Sequence, residues 1–205
     1  MGFYQRHVWP RILDLVMRNP ESARLRAELI PHARGRVLEV GIGSGLNLPF
    51  YPAQVQCVCG VDPSEELQRM ARARAASGSL PVELLCQSAE DPLPFPRSSI
   101  DTVVVTWTLC SIPNPSSALQ EMQRVLKTNG QLIFIEHGLA PDPKVAAWQD
   151  RLTPLWKRIA AGCHLNRRVD DLIHKAGFEV TAGKRGYLMG PHPLTYTYQG
   201  IARVT

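Results

Sequence analysis

The stretch RVLEVGIGSG, Arg36 to Gly45, runs from an apolar, β-branched segment straight into three glycines at alternate positions, Gly41, Gly43 and Gly45. Val37, Leu38 and Val40 read as a buried strand. Each glycine either lets the backbone approach a ligand or takes a positive φ that a Cβ would resist. Glu39 stands on the strand two residues before Gly41, at the end where an open parallel sheet places its ligands. A buried acid there needs a partner, and a ligand ammonium is one. Glycine loops also serve tight turns and, with G-x-G-x-x-G spacing, dinucleotide sites, so the neighbouring elements decide.

Downstream, short β-branched runs alternate with amphipathic stretches: QVQCVCGVD, SEELQRMARARAAS, VELLC, DTVVVTW, SSALQEMQRVLK and QLIFIEHG. That alternation predicts an α/β domain, a parallel sheet with covering helices. Thr102 to Trp107 and Leu132 to Ile135 are apolar on both faces, as central strands covered on both sides should be. Upstream, two helices are expected near Val8 to Arg18 and Ser22 to Ile30, punctuated by Pro20 and Pro31, the first with Val8, Ile12, Leu15 and Val16 on one face. After the fifth strand come helices over Lys144 to Ala160 and Arg167 to Ala176, the latter ending at Gly177 as a left-handed cap. Phe178 to Lys184 and Thr195 to Val204 read as a closing strand pair.

The chain has 205 residues and 22.8 kDa, enough to bury roughly 70% of its unfolded surface around one core without disulfide or metal staples. With 44% hydrophobic and 20% charged residues, and no apolar run near the ~18 residues that cross a bilayer, disorder, collagen and a transmembrane channel are excluded. Met1 to Pro10 carries Arg6 and His7 among aromatics and lacks the pattern of a secretory signal, so a cytoplasmic location is expected. Cys57, Cys59, Cys86, Cys110 and Cys163 form no C-x-x-C pair and read as reduced thiols, with no metal site. Residues 1–36 carry seven basic against three acidic side chains, residues 37–140 six against ten, and residues 141–205 ten against five. The basic ends would suit nucleic acid, anionic lipid or an anionic substrate, or simply form a solvated surface.

Two more acidic elements follow the glycine loop in order. The second strand ends in Asp62, seventeen residues after Gly45, where a carboxylate would accept both hydroxyls of a ribose. Asp62-Pro63-Ser64-Glu65 also reads as a helix start, with Asp62 as N-cap and Pro63 at the first helical position. The third strand leads into CQSAEDPLPF, which places Ala89 and Glu90 beside an adenine; its plainer reading is an acidic loop closed by prolines.

These residues resemble the class I S-adenosylmethionine-dependent methyltransferases. E-x-G-x-G-x-G, Asp62, S-A-E-D-x-L-P-F, I-D-T-V-V-V and E-M-x-R-V-L-K-x-x-G fall in that family's order from about Arg36 to Val204. One departure is Thr128-Asn129-Gly130, where the family usually has Pro-Gly-Gly. The resemblance implies one domain: a Rossmann-like, doubly wound, mostly parallel seven-stranded sheet, with a cofactor core (36–140) and acceptor-side elements (141–205); because the methyl of so small an enzyme must be shielded by something outside the sheet, residues 1–35 are expected to form a helical lid, with Tyr4, Val8 and Ile12 of the first helix over cofactor and acceptor. It implies S-adenosylmethionine as cofactor, Glu39 at its methionine end, the amides of Gly41 to Gly45 along its backbone, Asp62 and Pro63 at the ribose, Ala89 and Glu90 at the adenine, and Thr106 at the methionyl end.

The acceptor side chooses the chemistry. Enzymes that methylate nucleobase amines commonly carry Asn/Asp-Pro-Pro-aromatic after the fourth strand, whereas this chain reads TWTLCS at 106–111, so no nucleic-acid partner is expected; Asn114-Pro115 reads as a helix cap. LCSI, IEHG, W-Q-D-x-L-x-P-x-W and GCHLNR resemble the small alkyl-thiol S-methyltransferases, whose animal members are associated with endoplasmic reticulum and lipid droplets. The expected acceptor is a small thiol or hydrogen sulfide, with peripheral membrane contact through the N-terminal segment. Thiolate is the nucleophile, and His137, at the end of the fifth strand, is placed to take the proton or to orient the acceptor. Tyr4, Trp107, Cys110, Trp148 and His164 are assigned to the pocket. Quinone or phospholipid methylation, arsenite methylation through Cys110 and Cys163, and a non-catalytic cofactor-binding module stand as alternatives.

Overall fold

The computed structural model describes residues 8–205. Its centre is one seven-stranded sheet in the order β3-β2-β1-β4-β5-β7-β6. The strands are β1 (Gly35–Val40), β2 (Val55–Val61), β3 (Val82–Leu85), β4 (Ile100–Thr106), β5 (Leu126–His137), β6 (Phe178–Tyr187) and β7 (Tyr196–Val204). All pair in parallel except β7, which runs antiparallel to both β5 and β6. The carboxyl ends of β1 to β5 therefore share one edge, where the chain turns outward at Gly41, Asp62, Cys86, Trp107 and Gly138.

The continuous apolar runs divide by alternation between two cores. Leu38, Val40, Val103, Val105, Leu132 and Phe134 face one side, under α4 (Pro115–Val125) and α6 (Val169–Lys175). Val37, Val58, Val104, Ile133 and Ile135 face the other, with Leu25 and Leu29 of α2 (Pro20–Leu29). Both faces of β4 and β5 are dry, which is why their sequence shows no polar alternation. Asn114 caps α4 by accepting the Ser117 N–H, with Pro115 at the start, and Gly177 closes α6 at φ +78°.

Three local features position the site. Helix α3 (Glu65–Ala75) is capped by Ser64, whose hydroxyl accepts the Leu67 N–H, so Asp62 is not its N-cap. The β1–β2 crossover holds only a 3-10 turn, Leu48–Phe50, because Pro49 and Pro52 break any longer helix. The third is the direction in which α1 (Trp9–Val16) faces. Its apolar stripe points outward, with Leu15 72% and Val16 59% exposed, while Asp14 is buried against the body. α5 (Pro143–Ile159) and the short α7 (His192–Thr195) complete the chain, and no described helix is long and apolar enough to cross a membrane.

Candidate functional site

Glu39 is 1% exposed and its two carboxylate oxygens are separately engaged. Asn47 Nδ2 donates to Oε1 at 2.9 Å and the Tyr51 hydroxyl to Oε2 at 2.7 Å. The same Asn47 amide reaches Thr106 Oγ1 at 3.1 Å, while its carbonyl oxygen accepts from Arg26 Nε at 3.1 Å. The ends of β1 and β4 are thus joined through one side chain to α2. Burial pushes the Glu39 carboxyl up to about 7, against the lowering influence of Tyr51, Asn47 and the Arg26 charge. Arg26, itself buried and pushed down to about 10 by that burial, lies 4.8 Å from the centre of the Trp107 ring.

The glycine loop wraps this end of β1. Gly41 has φ +72°, and a Cβ there would stand 2.1 Å from Thr108 Oγ1, so both conformation and space require glycine. Gly43 has φ +55°, but a Cβ would meet nothing closer than 3.9 Å; its surroundings are open. Its N–H donates to Asp62 Oδ2 at 3.0 Å, and Asp62 Oδ1 accepts from Ser64 N–H at 2.8 Å. Asp62 therefore bridges the loops after β1 and β2, each oxygen retaining acceptor capacity. Burial raises its carboxyl value, opposed by those two N–H groups.

Pro63 is exposed between Asp62 and Ser64, while Ala89 is 7% exposed in the loop after β3. The Glu90 carboxylate is committed locally, accepting from Asn114 N–H at 2.7 Å and contacting Ser88 Oγ at 3.2 Å. It joins the loops after β3 and β4 rather than projecting freely.

The loop after β4 is held from below. Trp107 occupies the left-handed region at φ +49°, a conformation costing of order 1–3 kcal/mol for a non-glycine residue. Its offset is visible: Trp107 N–H donates to Ile135 O at 2.7 Å, and the buried Glu136 carboxylate accepts from the N–H groups of Thr108, Leu109 and Cys110 at 2.8, 3.0 and 3.2 Å. Arg167 donates to the carbonyls of Leu109 and Ile112. Burial pushes Glu136 up to about 7 despite its three backbone donors.

His137, the next residue, is 7% exposed, with Nδ1 3.6 Å from Cys163 Sγ and a buried Nε2 that has no hydrogen-bond partner. Cys110 is 3% exposed, and its carbonyl accepts from the His164 N–H at 2.8 Å with His164 Nδ1 at 3.2 Å. Burial and Arg167 lower the His164 value. Trp148 is a correction to the expected pocket: it is 54% exposed on α5, with the Arg151 guanidinium 5.7 Å from its ring, and forms neither core nor an enclosed wall. Tyr4 lies outside the described residues. Among those described, no group of three or more His, Cys, Asp or Glu is arranged to hold a metal ion.

Sequence reasoning missed Asn47, Tyr51, Arg26, Glu136 and Asp14. Asp14 Oδ1 accepts from Ser44 Oγ at 2.6 Å and Arg74 Nη2 at 2.7 Å, fastening α1 onto the glycine loop and α3. The signal for Glu136 was an acid closing the apolar run LIFIEH, and for Asn47 and Tyr51 the demand of a buried Glu39 for donors.

Residues 38–134 match the family described as "Methyltransferase domain". The thiol S-methyltransferase TMT1B of Rattus norvegicus is 40% identical over 145 residues, 69% of this chain and 59% of that protein. TMT1A of Homo sapiens, also a thiol S-methyltransferase, is 31% identical over 174 residues, covering 80% and 71% of the two chains. A phosphatidylethanolamine N-methyltransferase of Cereibacter sphaeroides is 40% identical over 119 residues, 57% of this chain and 58% of that one. The chain thus spans about three fifths of the length of the TMT1B proteins it matches, 59% in rat and 62% in human. Among solved structures, a SAM-dependent methyltransferase of Methanosarcina mazei superposes with a TM-score of 0.66 at 23% identity, covering 82% of this chain and 92% of that one, which shows the shared fold.

Proposed function

Because the chain belongs to the family of S-adenosylmethionine-dependent methyltransferases that contains the thiol S-methyltransferases, we propose that it transfers a methyl group to a small thiol or hydrogen sulfide, attacked as its anion. The observation that carries the cofactor half is the Glu39–Asn47–Thr106 network beside the open glycine Gly43 and the bridging Asp62, all at one sheet edge. These residues fit the cofactor: a buried acid for its ammonium, a loop whose Gly43 leaves room for its backbone, and a carboxylate with spare acceptor capacity for its ribose. When bound, S-adenosylmethionine supplies an electrophilic methyl on a sulfonium.

The chain's own contribution is alignment and dryness. Glu39 and Asp62 fix the two ends of the ligand, Trp107 is held in place by Arg26 and the loop below it, and α1 covers the glycine loop through Asp14. His137 takes the acceptor's proton at Nε2 or orients the thiol there, since that nitrogen is buried without a partner. The test is transfer of labelled methyl from S-adenosylmethionine to methanethiol and larger thiols, alongside calorimetry with S-adenosylmethionine and NAD. Binding of S-adenosylmethionine with thioether formation is expected; NAD binding without S-adenosylmethionine binding refutes the reading.

A second reading, methylation of a lipid amine, is favoured by one feature, the outward apolar stripe of α1. Val8, Ile12, Leu15 and Val16 are exposed there beside Arg11 and Arg18, a composition suited to an anionic membrane surface. Such contact is compatible with a thiol acceptor as well. Co-sedimentation with anionic vesicles, lost in Leu15→Ser/Val16→Ser, tests the contact separately from the acceptor.

A further inference from the structure

Three separate segments bring two thiols and an imidazole together at this edge. Cys110 comes from the loop after β4, His137 from the end of β5, and Cys163 from the turn after α5. Cys163 Sγ lies 3.6 Å from His137 Nδ1, the Cys110 thiol lies 3.5 Å from Ser111 Oγ, and the N–H of His164, next to Cys163, donates to the Cys110 carbonyl at 2.8 Å, which sets the two cysteines side by side. Both thiols are free; Cys110 is buried and Cys163 is partly accessible.

The placement is built rather than incidental. Glu136 and His164 hold the backbone of Cys110 from two sides. Gly162, directly before Cys163, has φ +91°, and a Cβ there would stand 3.1 Å from the Ser111 carbonyl oxygen, so the two cysteine-bearing segments are pressed together. Two polar atoms, His137 Nε2 and Trp156 Nε1, are buried here without hydrogen-bond partners, and Trp156 adjoins Cys163. The neighbouring Cys110 thiol, and after it the His137 imidazole, hold Cys163 below the ordinary thiol range, while the Cys163 neighbour and burial hold Cys110 above it. Cys163, partly accessible and beside the imidazole, is the readier nucleophile and the buried Cys110 the resolving thiol.

We propose that Cys163 and Cys110 form a thiol–disulfide exchange site that opens small organic disulfides and releases their halves beside the methyl-transfer edge. The Cys163 thiolate attacks one sulfur of R–S–S–R; the Cys163–S–S–R bond forms, the original S–S bond breaks, and one half leaves as RS⁻ with the electron pair. Cys110 then gives its proton to water, attacks the Cys163 sulfur and expels the second RS⁻, leaving a Cys110–Cys163 disulfide. A small thiol or dithiol reductant, itself oxidised to a disulfide, supplies the two electrons that restore the pair, and Cys110 regains its one proton from water. One disulfide thereby becomes two thiols, the first released already ionised and in need of no base. The exchange rests on the proposed methyl transfer only for the destination of that thiolate.

The test uses the full chain, reduced and then freed of reductant, with 2-hydroxyethyl disulfide and no S-adenosylmethionine, at about pH 6.5, where an ordinary thiol of pKa about 8.5 is about 1% ionised. Wild type should release two thiols per chain and yield a Cys110–Cys163 disulfide on peptide mapping. Cys110→Ser, which keeps a donor beside Cys163, should trap one adduct on Cys163, formed about 3–6-fold faster than any adduct on the exposed Cys86, the gain in thiolate fraction being partly offset by the lower nucleophilicity of a more acidic thiol. A folded Cys110→Ser chain modified first at Cys86, or wild type that yields no internal disulfide, overturns the proposal. Methyl transfer is not read in this experiment, so failure of the thiol-acceptor reading would leave its outcome unchanged.

Discussion

Replacing Glu39 by Gln separates the charge of this residue from its shape. Burial lifts the carboxyl from 4.5 to about 7 in the ligand-free fold. The folded value exceeds the unfolded one, so the stability lent by the extra proton is complete below pH 4.5 and is lost as the pH rises through about 7. At 1.36 kcal/mol per pH unit, keeping Glu39 ionised above that range costs roughly 3 kcal/mol. A ligand ammonium recovers part of this, because it favours the ionised form. Affinity for S-adenosylmethionine should therefore rise up to about tenfold per pH unit below about 7 and level off above it. Glu39→Gln should lose a charged hydrogen bond of ~1.5–3 kcal/mol, about 10- to 150-fold in Kd above neutrality, with a flattened pH dependence. Its thermal midpoint above neutrality should equal or exceed that of wild type, since the buried charge is gone. Titration calorimetry between about pH 5.5 and 8.5 reads all of this, and any slope left in the variant reports other groups such as Glu136. A Glu39→Gln chain with wild-type affinity above neutrality, or a wild-type affinity independent of pH, would refute the reasoning.

Asp62→Ala should weaken the cofactor about tenfold or more if, as proposed, Asp62 accepts from ribose hydroxyls; unchanged affinity in a folded variant would reduce Asp62 to a brace between the loops after β1 and β2. Asp14→Ala unfastens α1 from Ser44 and Arg74, and should raise the KM for the cofactor several-fold while the thermal midpoint moves little; an unchanged KM would remove α1 from the role of lid. His137→Ala should lower kcat/KM by roughly 10²–10⁴-fold and regain part of the rate at high pH, where the acceptor ionises unaided, with cofactor affinity held. Wild-type turnover near neutral pH would take His137 out of the mechanism.

The strands and covering helices were legible because their apolar patterns and caps are displayed directly in the sequence, whereas the seven-stranded, doubly wound arrangement came from the family resemblance. Strands β4 and β5 are apolar on both faces, glycines mark the outward turn at Gly41, and Gly177 and Asn114 announce a helix end and start. The site was legible only where function needs particular residue types close together in the chain, as with Glu39 and the glycines. What periodicity could not give was direction. The stripe Val8, Ile12, Leu15 and Val16 identifies a helix face, but α1 turns it outward because Asp14 finds Ser44 and Arg74, 30 and 60 residues away. Asn47 and Glu136 were hidden for a similar reason, since their partners lie on other strands or on the loop after β4. Trp148 shows the converse: a large aromatic at helical spacing reads as buried, yet an arginine beside it lets it remain on the surface.

The most direct measurement offers the enzyme S-adenosylmethionine and, in one vessel at equal concentrations, methanethiol, a larger alkyl thiol, a phosphatidylethanolamine and a quinol, with the methylated products separated and counted. The account predicts that the thioethers dominate, that their formation slows about tenfold or more in Asp62→Ala at limiting cofactor, and that it falls in His137→Ala near neutral pH. A protein that leaves every thiol unmethylated while it methylates the lipid amine or the quinol would contradict the assignment of the acceptor.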